Sequence, residues 1–384
     1  MRRTLLSVAA LTAAGSALGA QSSLTATVTG DVMNAPAITV PSGSAGIADP
    51  RYSTTFGTAN NGVFDFGTRG MSNFDGVVRI IIATPEGNFS CTGAVLQGGR
   101  NVLTAAHCVT NASGQRIATS VSIQGIGPSN TLATFATEPG TNIAIRPGYT
   151  GAVVSEQDLA VITLTNEAPT WATRYSLYTG DAQAVMGQEL VLSGFGRTGL
   201  TSVGDNLNNA GNVRRAGLNV FDVSRTSTQV STNATFGGIL FGDVDDGSAA
   251  NDRICNIFGG VSAVPPQFQG QICNRGVSNP LMEVGIGRGD SGGAAFFNGM
   301  IVGVASFGES IRSAECGPPI PPDTRNQACL GRIGAGFGYA STLTASNLAW
   351  VQSQIVPEPS TYALLAFGLG VLGPVSRRRR APIA

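Results

Sequence analysis

Asn101-Val-Leu-Thr-Ala-Ala-His-Cys-Val109 holds the only histidine, His107, of a chain of 384 residues. A chain that uses histidine once, beside a cysteine at the end of an apolar run, is not using it as packing filler. Imidazole titrates near neutrality and can both take and give a proton, so His107 is first a general-base candidate. Far downstream, Gly289-Asp290-Ser291-Gly292-Gly293 sets a serine among glycines. Glycines there permit a tight turn that points backbone N–H groups inward beside a nucleophile. Between the two, Gln157-Asp158-Leu159-Ala160-Val161-Ile162-Thr163-Leu164 places an acid at the head of an apolar run.

Leu103-Thr-Ala-Ala-His-Cys108 resembles the histidine box of the trypsin/chymotrypsin-like serine proteases, and Gly289 to Gly293 resembles their nucleophile motif. Asp158-Leu-Ala-Val161 is similar to the segment in which the family's aspartate leads into a buried strand. The resemblance implies a triad: Ser291 as nucleophile, His107 as base and Asp158 as the acid that orients the imidazole. It also implies an oxyanion hole from the backbone N–H groups of Gly289 and Ser291, with no cofactor. Gly303-Val-Ala-Ser-Phe-Gly308 resembles the strand lining the substrate groove, which assigns Ser306, Phe307 and Gly308 to the pocket wall. Gly285, six residues before the nucleophile, falls at the pocket base and offers no carboxylate to Lys or Arg. An acid reaching in from elsewhere, such as Asp243 or Glu283, would change that preference.

The resemblance covers roughly residues 74 to 355 and implies an all-β fold of two packed six-stranded barrels, with the site in the cleft between them. Leu192-Ser-Gly-Phe-Gly-Arg197 is similar to the strand that opens the second barrel, here from about residue 188. Thr344 to Ile355 reads as a short closing helix, with Leu348, Trp350 and Val351 toward its buried side. The 133 residues from Asp158 to Ser291 exceed the family's usual spacing, and the surplus is expected at about 201–280. Within it, Gly242-Asp-Val-Asp-Asp-Gly247 and Asn251-Asp252 invite a calcium-loop reading. Residue 254, where a calcium loop begun at Asp243 would carry its glutamate, is isoleucine, so a solvated acidic loop is the expectation, with no metal site.

Two departures from the family matter. No activated N-terminus of the basic-residue-then-Ile-Val-Gly-Gly type precedes residue 76, so the partner of Asp290 is open. The family cysteine four before the nucleophile is Gly287.

Composition agrees with a glycine-rich β body: glycine reaches 52 residues, and apolar runs are short. Net charge is zero and only 12% of residues are charged, so no basic field recruits nucleic acid. The N-terminus reads as an export signal over residues 1–20, with Arg2 and Arg3 before an apolar segment and a small-residue cleavage region at Ala17 to Ala20. The route of export stays open. Residues 21–73 read as a polar leader or irregular extension.

An exported chain meets oxidising conditions, which makes its six cysteines candidates for disulfides. The resemblance pairs Cys91 with Cys108 around the histidine loop. Cys255 with Cys273 and Cys316 with Cys329 are the natural local pairs, although six cysteines allow 15 pairings in all. One histidine and no Cys-x-x-Cys leave little for zinc.

Residues 356–384 carry a separate message. Val356-Pro-Glu-Pro-Ser360, an apolar stretch Tyr362 to Val375 and Arg377 to Arg380 resemble the PEP-CTERM sorting signal of Gram-negative bacteria. As a helix the apolar stretch spans roughly 21 Å, short of the ~30 Å hydrocarbon core. That suits a temporary anchor, cut by an exosortase-type enzyme, better than a permanent one. The expected location is therefore the periplasm, cell surface or extracellular matrix. Export machinery and protein or peptide substrates are the implied partners. The leading expectation is an exported serine endopeptidase; the alternative is a non-catalytic surface binding module on the same scaffold.

Overall fold

The computed structural model describes residues 66–355 apart from 72, 130, 153, 201–203, 207–213, 226–228, 232–236, 246–248, 250–251, 275, 278–282 and 311–334, together with 25–27 and 31–32. The export signal, Cys316, Cys329 and the C-terminal sorting segment lie outside the described residues.

Val77-Val-Arg-Ile-Ile-Ile-Ala-Thr84 shows why this chain folds as sheet. Its branched apolar side chains favour the pleated backbone, and Val78, Ile80 and Ile82 alternate into the core. In chain order the strands are β1 (Thr25–Thr27), β2 (Asp31–Val32), β3 (Val77–Thr84), β4 (Gly87–Val95), β5 (Asn101–Thr104), β6 (Ser120–Ile126), β7 (Leu132–Pro139), β8 (Ile143–Ile145) and β9 (Ala160–Thr163). Then follow β10 (Glu189–Gly194), β11 (Thr198–Leu200), β12 (Gly204–Asn206), β13 (Arg215–Val220), β14 (Val223–Arg225), β15 (Gln229–Ser231) and β16 (Ile239–Asp243). The last three are β17 (Ala294–Phe297), β18 (Met300–Ser310) and β19 (Ala335–Ser341).

Among the described residues two large antiparallel sheets and a separate β11–β12 pair result. The first has seven strands in the order β7-β6-β3-β4-β5-β9-β8. The second has ten: β1-β15-β14-β16-β19-β18-β17-β10-β13, with β2 on β18. The fold is all-β, as the sequence implied, but the sheets are larger than two sixes. Residues 25–27 and 31–32, inside the stretch expected to be an irregular leader, pair with β15 and β18. Residues 201–280 are likewise not a loop excursion alone, because β13 to β16 belong to the second sheet. What stands outside the strands is a pair of short helices, α1 (Arg253–Ile257) and α2 (Pro266–Ile272), joined by the Cys255–Cys273 disulfide.

One apolar core runs through both sheets: Val77, Ile80 and Val161 of the first belong to the same cluster as Val191, Phe296 and Val304 of the second. Phe74 and Tyr175 close the seam by packing on the Phe296 ring, with centroids 6.4 and 4.7 Å away. The closing helix α3 (Ala345–Gln354) starts at Thr344, whose side chain caps the Asn347 N–H. It buries Val351, with Leu348 and Trp350 partly covered against the core. Asn347 then locks the helix by donating to the carbonyls of Glu156 and Ser341, each at 2.8 Å.

Cys91 on β4 and Cys108 are bonded, 17 residues apart. Closing a loop of that length stabilises by about 3 kcal/mol on the chain-entropy account. Cys91→Ser with Cys108→Ser should therefore lower the urea-unfolding free energy by about 3 kcal/mol; an unchanged midpoint would show the tie to be redundant.

Candidate active site

Thr104, the last residue of β5, pairs with Ala160, the first of β9. Antiparallel pairing puts the chain leaving β5 beside the chain entering β9, and so brings the turn Ala106–Cys108 against Asp158. Asp158 Oδ1 accepts from the His107 backbone N–H at 2.8 Å, and Oδ2 lies 2.6 Å from His107 Nδ1. Ser306 Oγ of β18 donates to the same Oδ2 at 2.5 Å. Asp158 has no solvent exposure. A buried carboxylate keeps its charge only when donors surround it, and these three supply them. With Nδ1–H given to the carboxylate, Nε2 is left as the accepting nitrogen.

Ser291 enters from the second sheet, three residues before β17. Its carbonyl accepts from the Thr92 N–H of β4 at 2.8 Å, while Thr92 Oγ1 donates to the Gly289 carbonyl at 2.8 Å and accepts from Phe195 N–H at 3.0 Å. The Cys108 sulfur sits between the two candidate residues, 3.9 Å from His107 Nε2 and 3.6 Å from the Ser291 carbonyl oxygen. Gly289 and Gly292 hold φ of +99° and +83°, conformations that a side chain would strain. Two carbonyls of this turn are tied down: Arg288 O accepts from Arg197 N–H at 2.8 Å and Asp290 O from Gly293 N–H at 2.5 Å. In a trans peptide the N–H points opposite to the C=O. The N–H groups of Gly289 and Ser291 are therefore turned away from Arg197 and Gly293 respectively.

The model for the family described as Trypsin matches residues 72–243, a span that includes His107 and Asp158 and stops short of Ser291. A second match, to the PEP-CTERM protein-sorting motif, covers residues 356–380 and indicates export to the cell envelope of a Gram-negative bacterium. No curated protein sequence matches. Solved structures that resemble the chain include the HL collagenase (16% identity, TM-score 0.43, 73% of this chain and 93% of that one). Others are an inactivated protease paralogue of the scabies mite (14%, 0.39, 73% and 93%) and a Glu endopeptidase (15%, 0.41, 73% and 90%).

Beside the Ser291 turn, Asp290 is met from inside the second sheet. Its Oδ1 accepts from Gly196 N–H at 2.6 Å. Arg215 of β13, which donates to the Gly196 carbonyl at 3.0 Å, feels the Asp290 charge: burial lowers its pKa and that carboxylate pulls it back up. Thr92 and Arg215 gave no signal in the sequence. Their partners lie 197 and 19 residues away, and only the fold brings them together.

Gly285 lines a small, half-open pocket with Ser193, Gly194, Arg215 and Asp290. Ser306 is turned to Asp158, and the fully buried Phe307 ring stacks 6.4 Å from Phe241. Ile254 of α1, Phe258 just after it and Ile272 of α2 belong to the cluster around Phe307. Neither Asp243 nor Glu283 lines the cavity; Glu283 accepts from the N–H groups of Asp245 and Val277. The solvated acidic loop expected at 242–252 is not what forms. Asp243, Asp245 and Asp252 are 2%, 8% and 2% exposed, and N–H groups at the start of α1 reach Asp243 and Asp252.

A Cβ on Gly194 would fall 2.0 Å from Asp290 Oδ1. Gly194→Ala should cost about 1–3 kcal/mol of stability through this overpacking, read as a fall in the thermal midpoint; an unshifted midpoint would mean that the Asp290 cradle is loose.

Proposed function

We propose that the chain is an exported serine endopeptidase acting through Ser291, His107 and Asp158. The observation that carries this reading is the His107–Asp158 pair. Both carboxylate oxygens bind the histidine, at 2.8 and 2.6 Å, and the imidazole edge left over faces the disulfide sulfur that also touches Ser291. In this reading Ser291 Oγ attacks a peptide carbonyl carbon while His107 Nε2 takes the hydroxyl proton. The resulting oxyanion is met by the N–H groups of Gly289 and Ser291, each such donor contributing about 10²–10³ in rate. His107 gives the proton to the leaving amine as the C–N bond breaks, and water then cleaves the acyl-enzyme by the same steps in reverse. Asp158 stabilises the imidazolium throughout.

Arg215 takes the part that a cleaved N-terminal amine would otherwise play, as the cation facing Asp290 across the Gly196 peptide. The nucleophile turn is then set on folding, without an activating cut. Peptide substrates follow from the protease domain, and exosortase-type processing follows from the sorting motif. The export machinery and a transient membrane contact by the C-terminal stretch are further partners of this reading, in periplasm, surface or matrix. The second reading, a non-catalytic binding module, is favoured by one observation: Ser291 has no solvent exposure.

A fluorophosphonate probe separates the two readings. Wild type should label and Ser291→Ala should not. Asp158→Asn should lose about 10⁴ in kcat. A folded wild type that fails to label would favour the binding module.

Arg215→Met keeps the stem and removes the charge. It should lower kcat by about 10- to 100-fold, as expected if one oxyanion donor is disturbed but not deleted, with KM less affected. Wild-type kcat in this variant would remove Arg215 from the positioning role.

A further inference from the structure

Four aspartates converge where β16 leaves the second sheet. Asp243 ends β16, Asp245 follows it, Asp252 caps α1 through Cys255 N–H, and Asp222 stands between β13 and β14. All four are buried, at 2%, 8%, 2% and 3% exposure. One oxygen each of Asp243, Asp245 and Asp252 lies within 4.8 Å of the others. Asp243 Oδ2 accepts from the N–H groups of Arg253 and Ile254, at 2.7 and 3.1 Å; no N–H or hydroxyl donor meets its Oδ1, and the other contact of its carboxyl is with the carboxyl of Asp222.

Such a group calls for a cation. Burying one carboxylate without compensation costs several kcal/mol, and crowding several together adds repulsion. The charged neighbours that act on Asp222 are Asp243, Asp245 and Asp252, all of its own sign. The sulfurs of Cys255 and Cys273 are engaged with each other, and the donor set is therefore all oxygen.

We propose that Asp243, Asp245 and Asp252, with Asp222 behind them, form a calcium site. The class of ion follows from the donors. Hard carboxylate oxygens select calcium, magnesium or manganese over zinc or copper. Oxygens on opposite sides of a calcium ion at 2.3–2.6 Å sit up to about 5 Å apart, which suits this spacing. Magnesium keeps several waters and uses one or two carboxylates, so a cage of three or four favours calcium. The ion would tie the end of β16 to the start of α1. It would thereby fix the disulfide-linked α1–α2 segment that packs on Phe307, the neighbour of the Asp158-binding Ser306. The site does not depend on the triad reading.

The test uses the full chain, as wild type and as Ser291→Ala to exclude self-cleavage, stripped with EDTA and returned to millimolar calcium or magnesium. Calcium should raise the thermal midpoint by about 5 °C or more, magnesium should do much less, and one calcium should be found per chain by mass spectrometry. Asp243→Asn and Asp252→Asn should lose the calcium shift. In EDTA, Asp243→Asn should melt no lower than wild type, since it removes one of the crowded charges. Equal melting of wild type in calcium and in EDTA, with no ion bound, would overturn the proposal and leave proton sharing between Asp222 and Asp243 as what neutralises the cluster. If the variants fail to fold, the wild-type comparison alone decides.

Discussion

The buried carboxylate of Asp158 is the constraint around which the two sheets are arranged. Removed from water, it must be surrounded by donors, and no single element of the chain can supply enough of them. Two come from His107 on the turn after β5, and the third comes from Ser306 on β18 of the other sheet. Shifting one sheet against the other by a fraction of a hydrogen-bond length would leave part of the charge unmet, a penalty of about 1–3 kcal/mol or more for each donor lost. The relative placement of the sheets and the orientation of the imidazole are thus one and the same requirement.

Thr92 does for the serine turn what Ser306 does for the acid. A single residue of β4 holds the Gly289 carbonyl, the Ser291 carbonyl and the Phe195 N–H. The turn is then sandwiched between the first sheet and the Asp290 carboxylate, which is wedged against Gly194 and Gly196. No room remains there for a Cβ: one on Gly196 would come 2.6 Å from Asp290 Cγ. Glycine is thus needed at Gly194 and Gly196 for close approach, and at Gly289 and Gly292 for positive φ. The same residue type serves two distinct physical purposes within one site.

What was legible in the sequence is what local chemistry can encode. His107 beside Cys108, Ser291 among glycines and Asp158 before a β-branched run each show themselves within a few residues. The β body was legible from glycine content and short apolar runs, and the closing helix from its apolar positions. Size of the sheets was not: β1, β2, β14 and β15 are three residues long or fewer, too short for alternation to register. Nor could spacing reveal that Ser306 binds Asp158, since the bond spans 148 positions. The acidic stretch misled for a physical reason. Aspartates in a Gly-rich run look solvated, and only the fold makes them buried.

Buried carboxylates in this molecule therefore fall into two groups that obey the same electrostatics. Asp158 and Asp290 are met by N–H and O–H donors, with Arg215 near the second, so each can hold its charge in place. The half-buried Asp75 is met directly by the buried Arg214 at 2.9 Å. Around Asp243 the donors are two backbone N–H groups on one oxygen, and the remaining charges nearby have the same sign. A chain in which only 12% of residues are charged does not bury four acids together by accident of composition. In the second group like charges are crowded together, as in the first they are not. A hard divalent cation is the species that completes carboxylates at this spacing, and it would act on the same wall of the second sheet that carries Ser306 to Asp158.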